Sequence, residues 1–339
     1  MKTPLVSVIL PVYNSELYIY DALESIVNQS YRNLEILVIL NGTTDNSLLE
    51  INKVKDNRIK LINISESIGL IKSLNIGLSE SKGKYIARMD ADDIAYPQRI
   101  EKQIEYLESH DEVGLCATWY KTFDGTNLIG KNKIKDQDIK IQLLHQCHIC
   151  HPTVIIRKSI IEEHSLRYAD KFPHSEDYAL WIEMVDKTNL YTYPEILLQY
   201  RDHENNISKL ENDTQSKLSI EVKKWYFSKI GSTLTKDEIV LYTKFSYSDF
   251  TLTEKEIQVI NKIIARVIDN NSNIISSEKL KEYLSNKWNN LILNSSCNKK
   301  LLYKIHSKSY TGIKLNSWNE NLKINLKLIG KGIIKNKKH

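Results

Sequence analysis
The chain has 339 residues, 41% hydrophobic and 26% charged, close to the averages of folded globular proteins, which excludes a disordered or fibrous chain. Its net charge of +5 is modest for this length, and no nucleic-acid partner is expected. Four cysteines, Cys116, Cys147, Cys150 and Cys297, are too few and too scattered for a disulfide framework, which fits a reducing compartment and a cytoplasmic protein.

Met1-Lys2-Thr3-Pro4 runs straight into a strand-like segment, without the charged region, apolar stretch and cleavage site of a signal peptide. No apolar run approaches the roughly 20 residues needed to span a bilayer, so any membrane contact is expected to be peripheral. Residues 5–10 are apolar and β-branched on both faces, as in a strand covered by helices on each side of a parallel sheet. After Pro11-Val12-Tyr13-Asn14, residues 16–28 carry Leu17, Ile19, Leu23, Ile26 and Val27 at helical spacing. The unit then recurs. Residues 34–40 read as a strand, 41–46 as a loop and 47–54 as a short helix. Residues 58–64 read as a strand, 69–79 as a helix, 84–89 as a strand and 97–109 as a helix opened by proline.

Alternating β and α elements predict an α/β fold with a doubly wound, mostly parallel, Rossmann-like sheet. Ligands in such sheets bind beyond the carboxyl ends of the strands. Three loops therefore matter most: 11–14, 41–46 and 90–93. The first leads into Pro-Val-Tyr-Asn, not Gly-x-Gly-x-x-Gly, so no backbone cradle for a dinucleotide pyrophosphate is expected there. From about Thr214 glycine and proline almost vanish, which predicts a helical C-terminal region. The boundary is placed near Lys209, giving a domain over 1–209 and a helical region over 210–339.

Asp90-Ala91-Asp92-Asp93 puts three carboxylates within four positions directly after a strand. Such like charge is usually compensated by a cation, and an Asp-x-Asp pair suits Mg²⁺ or Mn²⁺ because hard oxygens supply some ligands while a substrate diphosphate and water supply the rest. The alternative is a solvated acidic turn ahead of the Pro97 helix. Glu176-Asp177 opens an amphipathic helix carrying Tyr178, Leu180, Trp181, Met184 and Val185. It offers either a base or plain charges favourable to a helix N-terminus. Residues 196–201 are strand-like and end next to His203, either a surface histidine or a ligand suited to Mn²⁺. Cys147-His148-Ile149-Cys150 has the spacing of half a zinc site, but no second pair completes it, so core cysteines before a strand are expected. In the tail, Lys323, Lys327, Lys331 and Lys335 recur at i, i+4 beside Leu322, Ile329 and Ile333. That pattern fits either a solvated helix or a peripheral contact with an anionic membrane.

The segments Val8-Ile9-Leu10-Pro11-Val12-Tyr13-Asn14, Asn41-Gly42-Thr43-Thr44-Asp45-Asn46-Ser47 and Tyr85-Ile86-Ala87-Arg88-Met89-Asp90-Ala91-Asp92-Asp93-Ile94, with Pro97 and Arg99, occur in this order. His151-Pro152-Thr153, Ser175-Glu176-Asp177-Tyr178 and Tyr200-Arg201-Asp202-His203 follow. Together they resemble glycosyltransferase family 2 of the GT-A fold over roughly the first two thirds of the chain. Within that family the motifs resemble those of lipooligosaccharide galactosyl- and N-acetylgalactosaminyltransferases. This resemblance implies an inverting transfer of a sugar (Gal, GalNAc, GlcNAc or Glc) from a UDP-sugar donor to a hydroxyl of a bacterial surface glycan or glycolipid. Lipooligosaccharide, capsule or O-antigen would be such a glycan, and the enzyme would work at the inner face of the plasma membrane.

The resemblance implies that Pro11 and Tyr13 border the nucleobase, that Asp90 contacts the ribose, and that Asp92, with His203, binds the Mn²⁺ or Mg²⁺ bridging the diphosphate. It places Lys72 near the donor phosphates, Asp177 as the base with Glu176 beside it, and His151 near the acceptor. Asn41 stands where relatives carry aspartate. Its amide can accept from uracil N3–H and donate to O4, or flip to suit cytosine. The rival reading is a non-catalytic nucleotide- or sugar-binding module on the same fold.

Overall fold
The computed structural model describes residues 3–204, 206–246 and 252–294. The tail lysines, their apolar neighbours and Cys297 lie outside the described residues. The chain divides into two compact units: residues 1–142 with 147–222, and residues 143–146 with the described residues from 223 onward.

In the first unit, β1 (Val6–Val12), β2 (Leu34–Asn41), β3 (Ile59–Ile64) and β4 (Tyr85–Arg88) alternate with α1 (Ile19–Val27), α2 (Ser47–Lys53) and α3 (Leu70–Glu80). All seven residues of β1 and all eight of β2 are buried, the expected result of a continuous apolar run packed on both faces. Each such Val, Leu or Ile contributes about 1.5–3 kcal/mol by burial. Helix α1 buries Ile19, Ala22, Leu23 and Ile26, one stripe at 3.6-residue spacing. It starts at Ile19, later than its apolar pattern, because the preceding backbone is bonded elsewhere: Ser15 N–H donates to Ser47 Oγ and Glu16 N–H to Asp45 Oδ2.

The chain continues through β5 (Ile94–Ala95), α4 (Arg99–Ser109), β6 (Val113–Phe123), β7 (Ile129–Gly130), α5 (Asp136–Leu143) and a 3₁₀ turn at His151–Thr153. After these come β8 (Ile155–Arg157), α6 (Lys158–Glu163), α7 (Glu176–Met184), β9 (Asn189–Arg201), α8 (Ile207–Leu210) and α9 (Asn212–Lys229). The sheet runs β3-β2-β1-β4-β8-β6-β9-β5, with β7 paired to β6. From β3 to β4 it is parallel, as expected. Beyond β4 it is mixed: β8 is antiparallel to β4 and β6, β6 and β9 are parallel, and β5 is antiparallel to β9.

Strand order reverses between β1 and β4, since the chain moves outward through β2 and β3 and returns to the other side of β1. A crevice opens at such a point. Here the last β1–β4 pair is Ile9 with Arg88. Pro11 falls past it, where it has no hydrogen bond to donate toward β4.

In the second unit, α10 (Lys236–Ser246), α11 (Glu254–Asp269) and α12 (Ser277–Asn294) bury Tyr242, Ile263, Ile264 and Trp288. Helix α11 starts with a reciprocal cap. Thr253 Oγ1 accepts from Glu256 N–H, and the Glu256 carboxylate accepts from Thr253 N–H, an arrangement worth about 1 kcal/mol. Among the described residues no helix is long and apolar enough to cross a membrane.

Candidate active site
The loops after β1 and β2 are tied into one surface. Asn14, at φ 45°, accepts the Thr44 N–H at 2.9 Å through Oδ1, and the Glu16 carboxylate accepts from Asn46 N–H at 2.9 Å. Gly42 has φ 62°, and a Cβ there would meet Ser67 N at 2.1 Å, so the close approach of residues 66–67 requires glycine. Asn41 is buried, and its Oδ1 accepts the Ile68 N–H at 2.8 Å. A backbone N–H can only donate, so this bond fixes the amide and leaves Nδ2 facing away as a donor. Pro11 is buried and Tyr13 is 55% exposed; the tyrosine ring is not packed into the first helix. Lys72 lies exposed in the first turn of α3, with no carboxylate partner among the described residues.

Asp90, Asp92 and Asp93 each present a carboxylate oxygen within 4.8 Å of the others. The three are held differently. Asp90 is ion-paired with buried Arg88. Asp93 is buried, with Oδ1 accepting the Arg201 N–H at 2.9 Å and Oδ2 accepting from no described residue. Asp92 is half-buried, and its Oδ2 lies 3.0 Å from His203 Nε2. Burial raises the Asp90 carboxyl, against the pull of Arg88 and with Asp92 adding to it. Burial raises Asp93 further, reinforced by Asp90 and Asp92.

Arginines supply fixed positive charge around the cluster. Burial works against the Arg88 guanidinium, yet Asp90 holds its pKa above the ordinary value. Arg99 is wholly buried and donates to the carbonyls of Arg88 and Pro152. Burial lowers it to about 10. Arg201 donates through Nε to the Asp92 carbonyl at 2.8 Å, pairs with Asp124, and lies 4.5 Å from the ring centroids of both Tyr18 and Phe123. His203 stacks on Tyr18 at 5.1 Å. Asn206 clips the turn by accepting the His203 N–H at 2.6 Å and donating to the Arg201 carbonyl.

Asp177 and Glu176 open α7. Asp177 is half-buried, its Oδ1 accepts the Tyr178 N–H at 2.6 Å, and the Cys147 thiol donates to its Oδ2 at 3.9 Å. Burial first, then the neighbouring Glu176 charge, push the Asp177 carboxyl up to about 7. Glu176 is buried, its Oε2 accepts from no described residue, and burial raises its carboxyl as well. His151 is buried too. Its Nε2 is 2.9 Å from the Tyr168 hydroxyl, and burial, with Arg88, lowers its pKa well below the ordinary value.

The structure thus brings Asp90, Asp92 and His203 together around one point, and Glu176, Asp177 and Cys147 into a second group, while His151 packs on Tyr168 and Trp181. Cys147 and Cys150 are half-buried ahead of the 3₁₀ turn and β8: Cys150 packs against the core, as expected, and Cys147 lies beside Asp177. Their thiols are pushed up by burial, Cys147 also by Asp177 and Cys150 by Asp93. Sequence reasoning missed Arg88 and Tyr18. The signal for Arg88 is a cation inside an otherwise apolar strand. Tyr18 has none, because the partners of its ring, Arg201 and His203, lie 183 and 185 residues away.

The residues at the crevice fit a divalent cation. Their donor set is carboxylate oxygen with one imidazole, the oxygens converge, and Asp93 Oδ2 is buried with its acceptor capacity unused.

Residues 7–165 match the profile of Glycosyl transferase family 2. An uncharacterized glycosyltransferase of Haemophilus influenzae is 41% identical over 249 residues, covering 67% of this chain and 76% of the relative. The Escherichia coli enzyme WfaP, a UDP-Glc:alpha-D-GlcNAc-diphosphoundecaprenol beta-1,3-glucosyltransferase, is 33% identical over 213 residues, covering 60% of this chain and 80% of its own. The crystal structure of S. aureus TarS 1–349 in complex with UDP-GlcNAc superposes with a TM-score of 0.58 at 18% identity, over 90% of this chain and 92% of that one, a likeness of fold. The mixed α/β sheet is that of the GT-A fold, and the chain belongs to glycosyl transferase family 2 as a glycosyltransferase.

Proposed function
We propose that this glycosyltransferase moves a hexosyl group from a UDP-sugar to a hydroxyl of a bacterial surface glycan carried on a lipid, with inversion at the anomeric carbon. Lipooligosaccharide, capsule and O-antigen are the glycans in view. The observation that carries the reading is the pairing of two unlike sites: Asp92 facing His203 at the crevice, and Asp177 raised to about 7 at the start of α7. A metal-ligating centre and a base near neutral pKa are the two parts a single displacement needs. The UDP-GlcNAc in the TarS complex and the UDP-Glc and diphosphoundecaprenol in the name of WfaP support the choice of donor and acceptor class.

Asp92 and His203 would hold Mn²⁺, preferred to Mg²⁺ for its tolerance of an imidazole ligand. The bound ion neutralises charge on the departing diphosphate. Asp90, fixed by Arg88, faces the ribose, while Tyr13 offers its exposed ring to the base. Asn41 cannot flip, because its oxygen is tied to Ile68. Its Nδ2 suits the O4 carbonyl of uracil and opposes the exocyclic amine of cytosine. Asp177, ionised above about pH 7, takes the proton of the attacking hydroxyl. Buried Glu176 beside it keeps it a stronger base than an exposed aspartate.

Incubating the protein and Mn²⁺ with a panel of UDP- and CDP-sugars and acceptor glycans, read by mass spectrometry, tests this directly. We expect transfer or slow hydrolysis from a UDP-sugar and none from CDP-sugars. Turnover of no donor at all would leave a binding module as the surviving account.

A further inference from the structure
Strand β6 pairs with β9 to its last residue, Phe123, and the chain turns back at residues 124–128 into β7. The hairpin leaves the same end of the sheet as His203, since β6 and β9 run parallel with Phe123 opposite Arg201. It is held firmly. Thr122 N–H donates to the Leu128 carbonyl and Leu128 N–H to Thr122 Oγ1, both at 2.8 Å. Asp202 Oδ2 accepts from Thr126 N–H at 2.8 Å and Oγ1 at 2.6 Å, while its Oδ1 pairs with Lys209 at 2.5 Å. A Cβ on Gly125 would meet the Asp202 carbonyl at 2.5 Å.

This well-bonded hairpin nevertheless leaves Leu128 65% and Ile129 54% exposed. Leu210, beside the Lys209 that closes the Asp202 knot, is 65% exposed as well. Adjacent large apolar side chains on a fixed tip need a partner. The charge around them says which kind. Residues 121–135 contain four lysines, Lys121, Lys131, Lys133 and Lys135, against one acid, Asp124, which is already paired with Arg201. None of the four lysines has a carboxylate within ion-pair distance among the described residues. Lys131 lies 5.2 Å from the ring of half-buried Trp119, and Trp beside Lys is a pairing suited to a membrane interface.

We propose that the β6–β7 hairpin docks on an anionic bilayer, with Leu128 and Ile129 among the head groups and the surrounding lysines on the lipid phosphates. Apolar insertion and phosphate attraction add in such a contact, and neither suffices alone. The hairpin then holds the crevice close to the surface that carries a lipid-linked acceptor. The proposal is separate from the roles of Asp92 and Asp177, because lipid binding is read without nucleotide.

The test is co-sedimentation of the full chain with vesicles of mixed phosphatidylglycerol and phosphatidylcholine, against vesicles of phosphatidylcholine alone. Wild type should bind the mixed vesicles and leave the neutral ones in suspension. Leu128→Ser with Ile129→Ser should weaken binding at least about tenfold, and Lys131→Glu with Lys133→Glu at least about fivefold per lysine. Both variants should keep the wild-type melting temperature and UDP affinity. Wild type that ignores anionic vesicles, or binds neutral ones equally, overturns the proposal. So does full binding by both variants, which moves the contact to another surface such as the basic tail. Self-association that the Leu128/Ile129 variant abolishes, without vesicle binding, makes the tip a contact between copies and overturns it too.

Discussion
Two groups of carboxylates lie in one unit, and burial raises members of both, but their partners differ. Asp90, Asp92 and Asp93 converge within 4.8 Å beside Arg88 and Arg201. Glu176 and Asp177 are also crowded and desolvated, but no basic side chain lies within ion-pair distance of either among the described residues. The first group has its oxygens pinned and aimed at one point, which suits a ligand for a cation. In the second, Asp177 is raised to about 7 with no cation beside it among the described residues, which suits a base. The environment, not the residue type, divides the labour.

The sharpest way to break the comparison is to remove one member of each group. Asp92→Ala should lower kcat/KM by about ten-thousandfold, because it removes both donor binding and stabilisation of the leaving group. Calorimetry should then show UDP binding that no longer responds to Mn²⁺. Asp177→Asn should lower kcat by about a thousandfold with Mn²⁺-dependent UDP binding intact. If each variant lost both properties, the two groups would be a single site and the contrast would fail.

Arg88 tests whether the fixed cation matters to the first group. It is buried and its partner Asp90 is half-buried, so Arg88→Met leaves a carboxylate without its countercharge. Urea unfolding should show a loss of about 3–5 kcal/mol. Adding Asp90→Asn should recover part of it, whereas no recovery would assign the loss to packing of the arginine stem.

Much of this was legible in the sequence, and the reason is locality. The loops after β1, β2 and β4 follow directly from a strand-then-helix pattern, so Pro11, Asn41 and Asp90 to Asp93 are placed by residues near them in the chain. Glu176 and Asp177 announce a helix start in the same way. What stayed hidden depends on pairing across long separations. The sequence pattern assigns no element to residues 121–146, yet they hold β7 and α5, and β7 exists only by pairing with β6. Similarly, β5 is two residues long and forms only against β9. Cys147 beside Asp177, and Arg201 on the Asp92 carbonyl, are contacts over 30 and 109 residues, which no local periodicity encodes.

The smallest expected effect sharpens the second group alone. Burial, then the Glu176 charge, raise the Asp177 carboxyl from the ordinary 3.8 to about 7. The base works ionised, so kcat should climb about tenfold per pH unit below pH 7 and level off above it. Glu176→Gln removes the neighbouring charge but not the burial, so the midpoint should move down without reaching 3.8. The same shift has a stability consequence of fixed sign. Below about pH 3.8 the carboxyl is protonated in both folded and unfolded chains and costs nothing. Between 3.8 and 7 the unfolded chain has released the proton while the folded chain keeps it, so stability falls as pH rises, and above 7 the full loss is in place. Asp177→Asn removes that loss. The variant should therefore be more resistant to urea than wild type at pH 8, with the difference fading toward pH 4. A variant weaker than wild type at pH 8 would mean that the ionised carboxylate is held by contacts that outweigh its burial.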